Sequence, residues 1–247
     1  MYKKYRGKLL CFSPPVMLAT FVIEFGMAFY TLWRYKMSTI SRLAFVTLIS
    51  LGTFQLAEYM VCGGLGWTNV QWAKIGYGAI TLLPALGIHM LVAITGKKMP
   101  ILVGTAYATS AAFVWFFLIV EGAISGQTCN ANYAIFNANS FGSQLFGLYY
   151  YGWLAIGIGL ALYFSNELPA KRKALMAMVT GYLIFIVPTV MFNIIDPSSV
   201  RGIPSIMCGF AVLFAFTLMS KVLPDTCQVI RQSNNWLQKV FQRISNN

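Results

Sequence analysis

The stretch from Ser41 to Cys62, SRLAFVTLISLGTFQLAEYMVC, decides the fold. At 1.5 Å per residue a helix of this length covers about 33 Å, enough to cross a hydrocarbon core about 30 Å thick. Its apolar residues run on without the period-two alternation of a barrel strand, so the bilayer's demand for internal hydrogen bonding points to a helix. Gly63 and Gly64 stop it. Six further runs of the same kind lie around it. The first follows Cys11-Phe12-Ser13-Pro14-Pro15, a serine cap with proline in the first turn, and reaches about Trp33, where Arg34, Tyr35 and Lys36 close it. Downstream the spans are Trp72 to Thr95, Pro100 to Val120, Phe141 to Ser165, Ala170 to Asn193 and Ile203 to Val222, with Pro224 ending the last. Residues 122–140, rich in Asn, Ser and Gly, read as one long loop. The expected fold is all-α: a polytopic integral membrane bundle of seven transmembrane helices.

Composition agrees. Of 247 residues 58% are hydrophobic and 10% charged, against about 25% charged in an average soluble domain. Such a chain cannot cover a water-soluble globule with polar side chains. The spans form one domain, 1–223, followed by a tail, 224–247. The basic start Lys3, Lys4, Arg6 and Lys8 runs too soon into Ser13 and two prolines to be a removable signal peptide, and no attached soluble domain or internal repeat is expected.

The net charge of +12 comes from 18 Lys and Arg against 6 Asp and Glu. With the N-terminus outside, twelve of the 18 cations fall on the cytoplasmic side (Arg34, Lys36, Arg42, Lys97, Lys98, Lys171, Arg172, Lys173, Lys221, Arg231, Lys239 and Arg243). This bias predicts an outside N-terminus and a cytoplasmic C-terminus. Four of the six dissenting cations sit in the first eight residues. The positive charge is thereby explained by loops near anionic headgroups, and nucleic acid is not needed. In the tail, Val229, Ile230, Trp236, Leu237, Val240, Phe241 and Ile244 recur at helical spacing among cations. They predict an amphipathic cytoplasmic helix that lies on lipid or docks a partner protein.

Ionisable side chains at membrane depth cost at least about 2.5 kcal/mol on insertion scales and mark functional sites by default. Glu24 falls near the middle of the first span and Gln55 near the middle of the second, both roughly 12 to 14 Å below the outer boundary. Glu58, three residues beyond Gln55, shares its helix face. Tyr149, Tyr150 and Tyr151 of span five and Asn193 of span six can face the same outer half. Two readings compete: an outward-opening pocket whose carboxylates take a cation, a polar small molecule or a proton, and protonated glutamates acting as interhelical glue. The candidate ligand-binding set is Glu24, Gln55, Glu58, Tyr150 and Asn193.

His89 is a packing residue or a proton or ligand carrier. As the sole histidine it excludes multi-histidine di-metal sites and bis-histidine haem within one chain. Pro84 and Pro188 can kink their helices, which suits a pocket wall or a moving element. Cys11, Cys62, Cys129 and Cys208 fall at or near the outer side, where Cys62 with Cys129, or Cys11 with either, can form a disulfide; free buried thiols are the alternative. There is no CxxC, no metal-spaced His and Cys cluster and no phosphate loop. No metal site is predicted, and the cofactor stays unknown. Retinal would need a mid-membrane lysine in the last helix, whereas Lys221 stands at its cytoplasmic end.

Two motifs carry a family resemblance. Cys11-Phe12-Ser13 and Phe54-Gln55-Leu56-Ala57-Glu58 resemble an uncharacterised family of bacterial multi-pass proteins that start Met-Cys-Phe-Ser and carry Gln-x-x-Glu in the second helix. The segment through Glu58, Trp72, Lys74, Tyr77, Pro84 and Gly96-Lys97 also resembles the seven-helix N-terminal sensory region of some histidine kinases. The likeness covers roughly the first 100 residues. It implies a seven-helix unit with an outside N-terminus and a ligand-sensing role. This chain departs in placing Cys-Phe-Ser ten residues late and in carrying no kinase, so its output would pass through a partner.

The expectation is a non-enzymatic, receptor-like or sensory protein of the bacterial inner (plasma) membrane. It binds a small molecule or cation in an outer-half polar pocket, contacts membrane lipids and signals through a membrane or cytoplasmic protein. The alternatives are a small-solute or ion transporter or channel, and an accessory subunit of a larger membrane complex. An intramembrane enzyme ranks below these, because no nucleophile and base pair is legible.

Overall fold

A computed structural model describes residues 14–62, 70–129, 134–195 and 202–230. Among them are seven helical segments long and apolar enough to cross a membrane, so the chain is an all-α polytopic bundle. The helices are α1 (Pro14–Arg34), α2 (Thr39–Val61), α3 (Val70–Thr81), α4 (Leu83–Thr95), α5 (Pro100–Ile119), α6 (Ser140–Glu167), α7 (Arg172–Ile195), α8 (Ile203–Thr217) and the short α9 (Leu223–Thr226). The most enclosed spans are α2, α3 with α4, and α8, while α1 and α5 turn most of their surface outward. Apolar exposure of that kind suits lipid.

Local chemistry explains the boundaries. Ser38 opens α2 with a reciprocal cap: its hydroxyl accepts from the Ser41 N–H at 3.2 Å, and its own N–H donates to the Ser41 hydroxyl at 2.7 Å. Gly96 ends α4 in the left-handed region at φ 72°, where only glycine avoids a Cβ penalty. The third span breaks between Thr81 and Leu83, because Pro84 has no N–H to return to the preceding turn. The carbonyl of Thr81 then accepts from Tyr149 Oη at 2.7 Å and from Ser110 Oγ at 3.1 Å. The break is thereby tied to α6 and α5.

Three readings of the sequence need correction. Residues 122–140 are not one irregular loop: β1 (Ile124–Cys129) pairs antiparallel with β2 (Ala134–Ala138), with a register irregularity between Ile124 and Gly126. A lone hairpin is marginal in water, and this one is held by burial of Ala123 and Ile124 and by β1 lying against α3. Nor does Pro224 end the last span. A π turn at Leu218–Val222 shifts the hydrogen-bond register, the Leu223 N–H donates to the Leu218 carbonyl, and α9 continues to Thr226. Val229 and Ile230 are extended rather than helical. Val229 bridges Tyr35, the Lys36 N–H donates to the Gln228 carbonyl at 2.9 Å, and the Ile230 N–H donates to the Arg34 carbonyl at 2.8 Å. Those backbone groups follow α1 and need partners outside its helix. Trp236, Leu237, Val240, Phe241 and Ile244 lie outside the described residues, as does Cys11.

Candidate functional site

Glu24 of α1 and Gln55 and Glu58 of α2 are almost wholly enclosed, at 0%, 2% and 1% exposure. Gly52 accounts for the close approach of α1 and α2. A Cβ built there would collide with the Phe25 ring and would stand 3.5 Å from the Glu24 Cβ. Glu24 thus enters the bundle one turn before Gln55, and Glu58 follows on the same face. Each carboxylate is within electrostatic reach of the other. The Ser205 side chain of α8 hydrogen-bonds Glu58, and Cys208, one turn on, is close enough to feel both acids. From α3, Tyr77 lies within electrostatic range of Glu58 and Cys208. Three predicted residues therefore meet at the junction of α1, α2 and α8, with α3 behind them.

The polar balance of this junction is unusual. Both carboxylate oxygens of Glu24, Oε1 of Glu58 and Nε2 of Gln55 are buried without a hydrogen-bond partner. Buried polar groups in folded proteins are almost always paired, and each exception requires a cause. Neither acid is in an ion pair among the described residues; the ion pair found there joins Lys97 and Glu167 at a helix end. No cluster of three or more His, Cys, Asp or Glu able to hold a metal occurs among the described residues.

Tyr150, buried on α6, takes a different place. With Thr47, Leu51, Gly87, Tyr182 and Cys208 it lines a cavity of about 30 Å³, room for two or three waters at about 10–15 Å³ each. Cys208 lies on both sides of the arrangement, facing the cavity and within reach of the acids. Thr47 Oγ1, which also lines the cavity, is another unpartnered buried atom. Gly87 matters here because a Cβ in its place would collide with the Tyr182 hydroxyl. Sequence reasoning did not find Thr47, Tyr77 or Ser205 for this site; small hydroxyls and an aromatic in an apolar run carry no local signal.

Asn193 is half-buried on α7, which packs against α8, α6 and α4 rather than against α1 and α2. The fold does not bring it to the acids. His89 is also apart. Its Nδ1 lies 3.1 Å from Tyr107 Oη of α5 and its ring meets Tyr107 edge-on. Two residues from cavity-facing Gly87, about 200° around the helix, it looks the other way. Cys62, just past α2, is disulfide-bonded, whereas Cys208 and Cys227 are free. The backbone of Cys129 ends β1, and its side chain lies outside the described residues. Comparison with protein-family models, with curated proteins and with solved structures found no match to this chain.

Proposed function

We propose that this chain is a receptor-like seven-helix protein of a bacterial plasma membrane, with its N-terminus outside and its C-terminus cytoplasmic. It binds a small polar species at Glu24, Gln55 and Glu58 and passes its state to a protein partner. The observation that carries this reading is the set of unpartnered buried atoms on all three side chains. Interhelical glue would have satisfied these atoms; beyond the bond from Ser205 to Glu58, both Glu24 oxygens, Glu58 Oε1 and Gln55 Nε2 have no partner. The three side chains are almost wholly enclosed, whereas an organic ligand pocket takes roughly 300–1,000 Å³, which favours a species of about the size of water. The turn after α1 is hydrogen-bonded to residues 228–230. A shift between α1 and α2 would therefore be felt at residues 228–230, on the side that the charge bias makes cytoplasmic.

The test is thermal unfolding in nanodiscs across a panel of cations and polar metabolites, on the wild type, Glu24→Gln and Glu58→Gln. At least one compound is expected to stabilise the wild type and to lose that effect in both variants. Equal responses in all three proteins would remove the site.

A further inference from the structure

Resting on the reading of this cluster as the binding site, we infer that its ligand is one small monovalent cation, held dehydrated between Glu24, Gln55, Glu58 and Ser205 in competition with protons. The donor set is made of oxygens. Glu24 contributes two unpartnered carboxylate oxygens and Glu58 one. The Ser205 hydroxyl already stands beside Glu58. Gln55 adds its amide oxygen when the side-chain amide is turned over, an exchange of near-isosteric ends. Hard cations take oxygen ligands of this kind. The nearby thiol of Cys208 is a soft group that such an ion does not require.

Charge supplies the second argument. Two carboxylates at membrane depth, in no ion pair among the described residues, leave a negative site that a cation or protons must offset. The groups facing them are Tyr77 from α3 and Ser205 and Cys208 from α8, none of them cationic. Size selects among cations. Magnesium gives up its water reluctantly and usually keeps several molecules, and a junction whose acids are 0% and 1% exposed has no room for them. Calcium wants six to eight oxygens, more than the four side chains offer beyond the Glu58 oxygen already turned to Ser205. One monovalent ion, with one proton retained between the two acids, leaves the site neutral.

The junction also offers a way to act. An ion bridging Glu24 to Glu58 clamps α1 to α2 and α8, whereas its release leaves carboxylates that must protonate or separate. Helix ends and half-helices serve cation sites in other membrane folds; here the ligands come from side chains at a three-helix crossing.

The experiment uses the full chain in nanodiscs and compares sodium, lithium, potassium, calcium and choline chloride at constant ionic strength over a pH series. It reads the unfolding midpoint and bound radioactive sodium. Sodium or lithium is expected to raise the midpoint over choline and to bind stoichiometrically. Glu24→Gln and Ser205→Ala should each weaken sodium binding by about tenfold or more, the factor for 1.4 kcal/mol. Lower pH should reduce sodium affinity, because protonated carboxylates no longer serve as ligands. Glu167→Gln, outside the site, controls for general charge effects. No salt preference, with a polar metabolite stabilising the wild type through Glu24, overturns the cation assignment and leaves the receptor reading standing. Stabilisation by calcium alone, or by acid alone with no sodium bound, also overturns it. No response to any compound, with Glu24→Gln and Glu58→Gln as stable as the wild type, overturns both.

Discussion

The carbonyl of Thr81 and the carboxylate of Glu24 are both polar groups deep in an apolar bundle, and their surroundings are opposite. Thr81 lies at a break that Pro84 opens, and two hydroxyls from two other helices, Tyr149 and Ser110, close on its oxygen. Glu24 lies on an unbroken helix, and neither of its oxygens has a partner. An unpaired peptide carbonyl in hydrocarbon costs several kcal/mol, so the first site has the form of a repaired structural defect. The second is left unrepaired although Gln55, a side chain able to repair it, stands one helix away with its own Nε2 unpartnered. Polar groups that serve the fold are satisfied within the fold; those that are not need another purpose. The Pro84 break, which by sequence suits a wall or a moving part, is by its bonding a fixed joint.

The largest expected effect tests whether the helix carrying Glu58 is fixed without the acids. Cys62 caps the end of α2 four residues after Glu58 and is disulfide-bonded. Cys62→Ser should lower unfolding stability by about 2–4 kcal/mol under non-reducing conditions and leave the sodium response in place. We expect Cys129 as the partner, so that Cys129→Ser matches it and the double variant is no worse; peptide mapping checks the pairing. Loss of the sodium response along with stability would show that the site depends on the clamp.

The next effect bears on the repaired joint. Tyr149→Phe combined with Ser110→Ala removes both donors to the Thr81 carbonyl. At about 0.6 to 1.7 kcal/mol for each intramembrane hydrogen bond, the pair should cost about 1–3 kcal/mol, seen as a lower unfolding midpoint in every salt. A neutral result would mean that the break recloses its own backbone and that the contrast with Glu24 is overstated.

How much of this was legible in the sequence follows from the range of the interactions. The spans were, because apolar length is a property of consecutive residues, and the proposed Glu24, Gln55 and Glu58 grouping was, because helix periodicity and depth place those three together. Ser205 and Tyr77 were not: a hydroxyl in an apolar helix looks the same whether it bonds its own backbone, as Thr189 does to Phe185, or turns to an acid across the bundle. Asn193 illustrates the same gap from the other side, since its depth is right and only the packing order of helices removes it from α1 and α2. The hairpin was hidden by Asn and Gly content, which signals turns and is silent on pairing. The π turn before Pro224 was hidden because a proline normally stops a helix, and a register shift that accommodates one has no one-dimensional signature.

A smaller effect, opposite in sign to that at the joint, is expected at Glu24. In choline at neutral pH, Glu24→Gln should change stability by within about 1 kcal/mol of zero and on the gain side, because a buried acid that must take up a proton when no ion is bound is replaced by a neutral amide of the same shape. In sodium the same variant should lose its advantage, since the wild type then gains the ion. A clear loss in both salts would make Glu24 a structural residue after all, satisfied by contacts that the unpartnered oxygens do not reveal.

The smallest effect belongs to the charges that reach water. Lys97 and Glu167 pair at the end of the bundle opposite the hairpin, with the Tyr163 hydroxyl donating to Glu167 and the Lys97 ammonium 4.5 Å from the centre of the Phe164 ring. Both side chains of the pair are exposed, so solvent and salt screen their attraction and replace it when it is lost. Lys97→Ala should leave the unfolding midpoint within experimental scatter and should leave sodium binding untouched. The fully bonded pair is thus expected to matter less than the unbonded acid. Contact geometry alone would rank them the other way; the medium reverses the order, because water supplies at the surface the partners that the interior of the bundle withholds from Glu24.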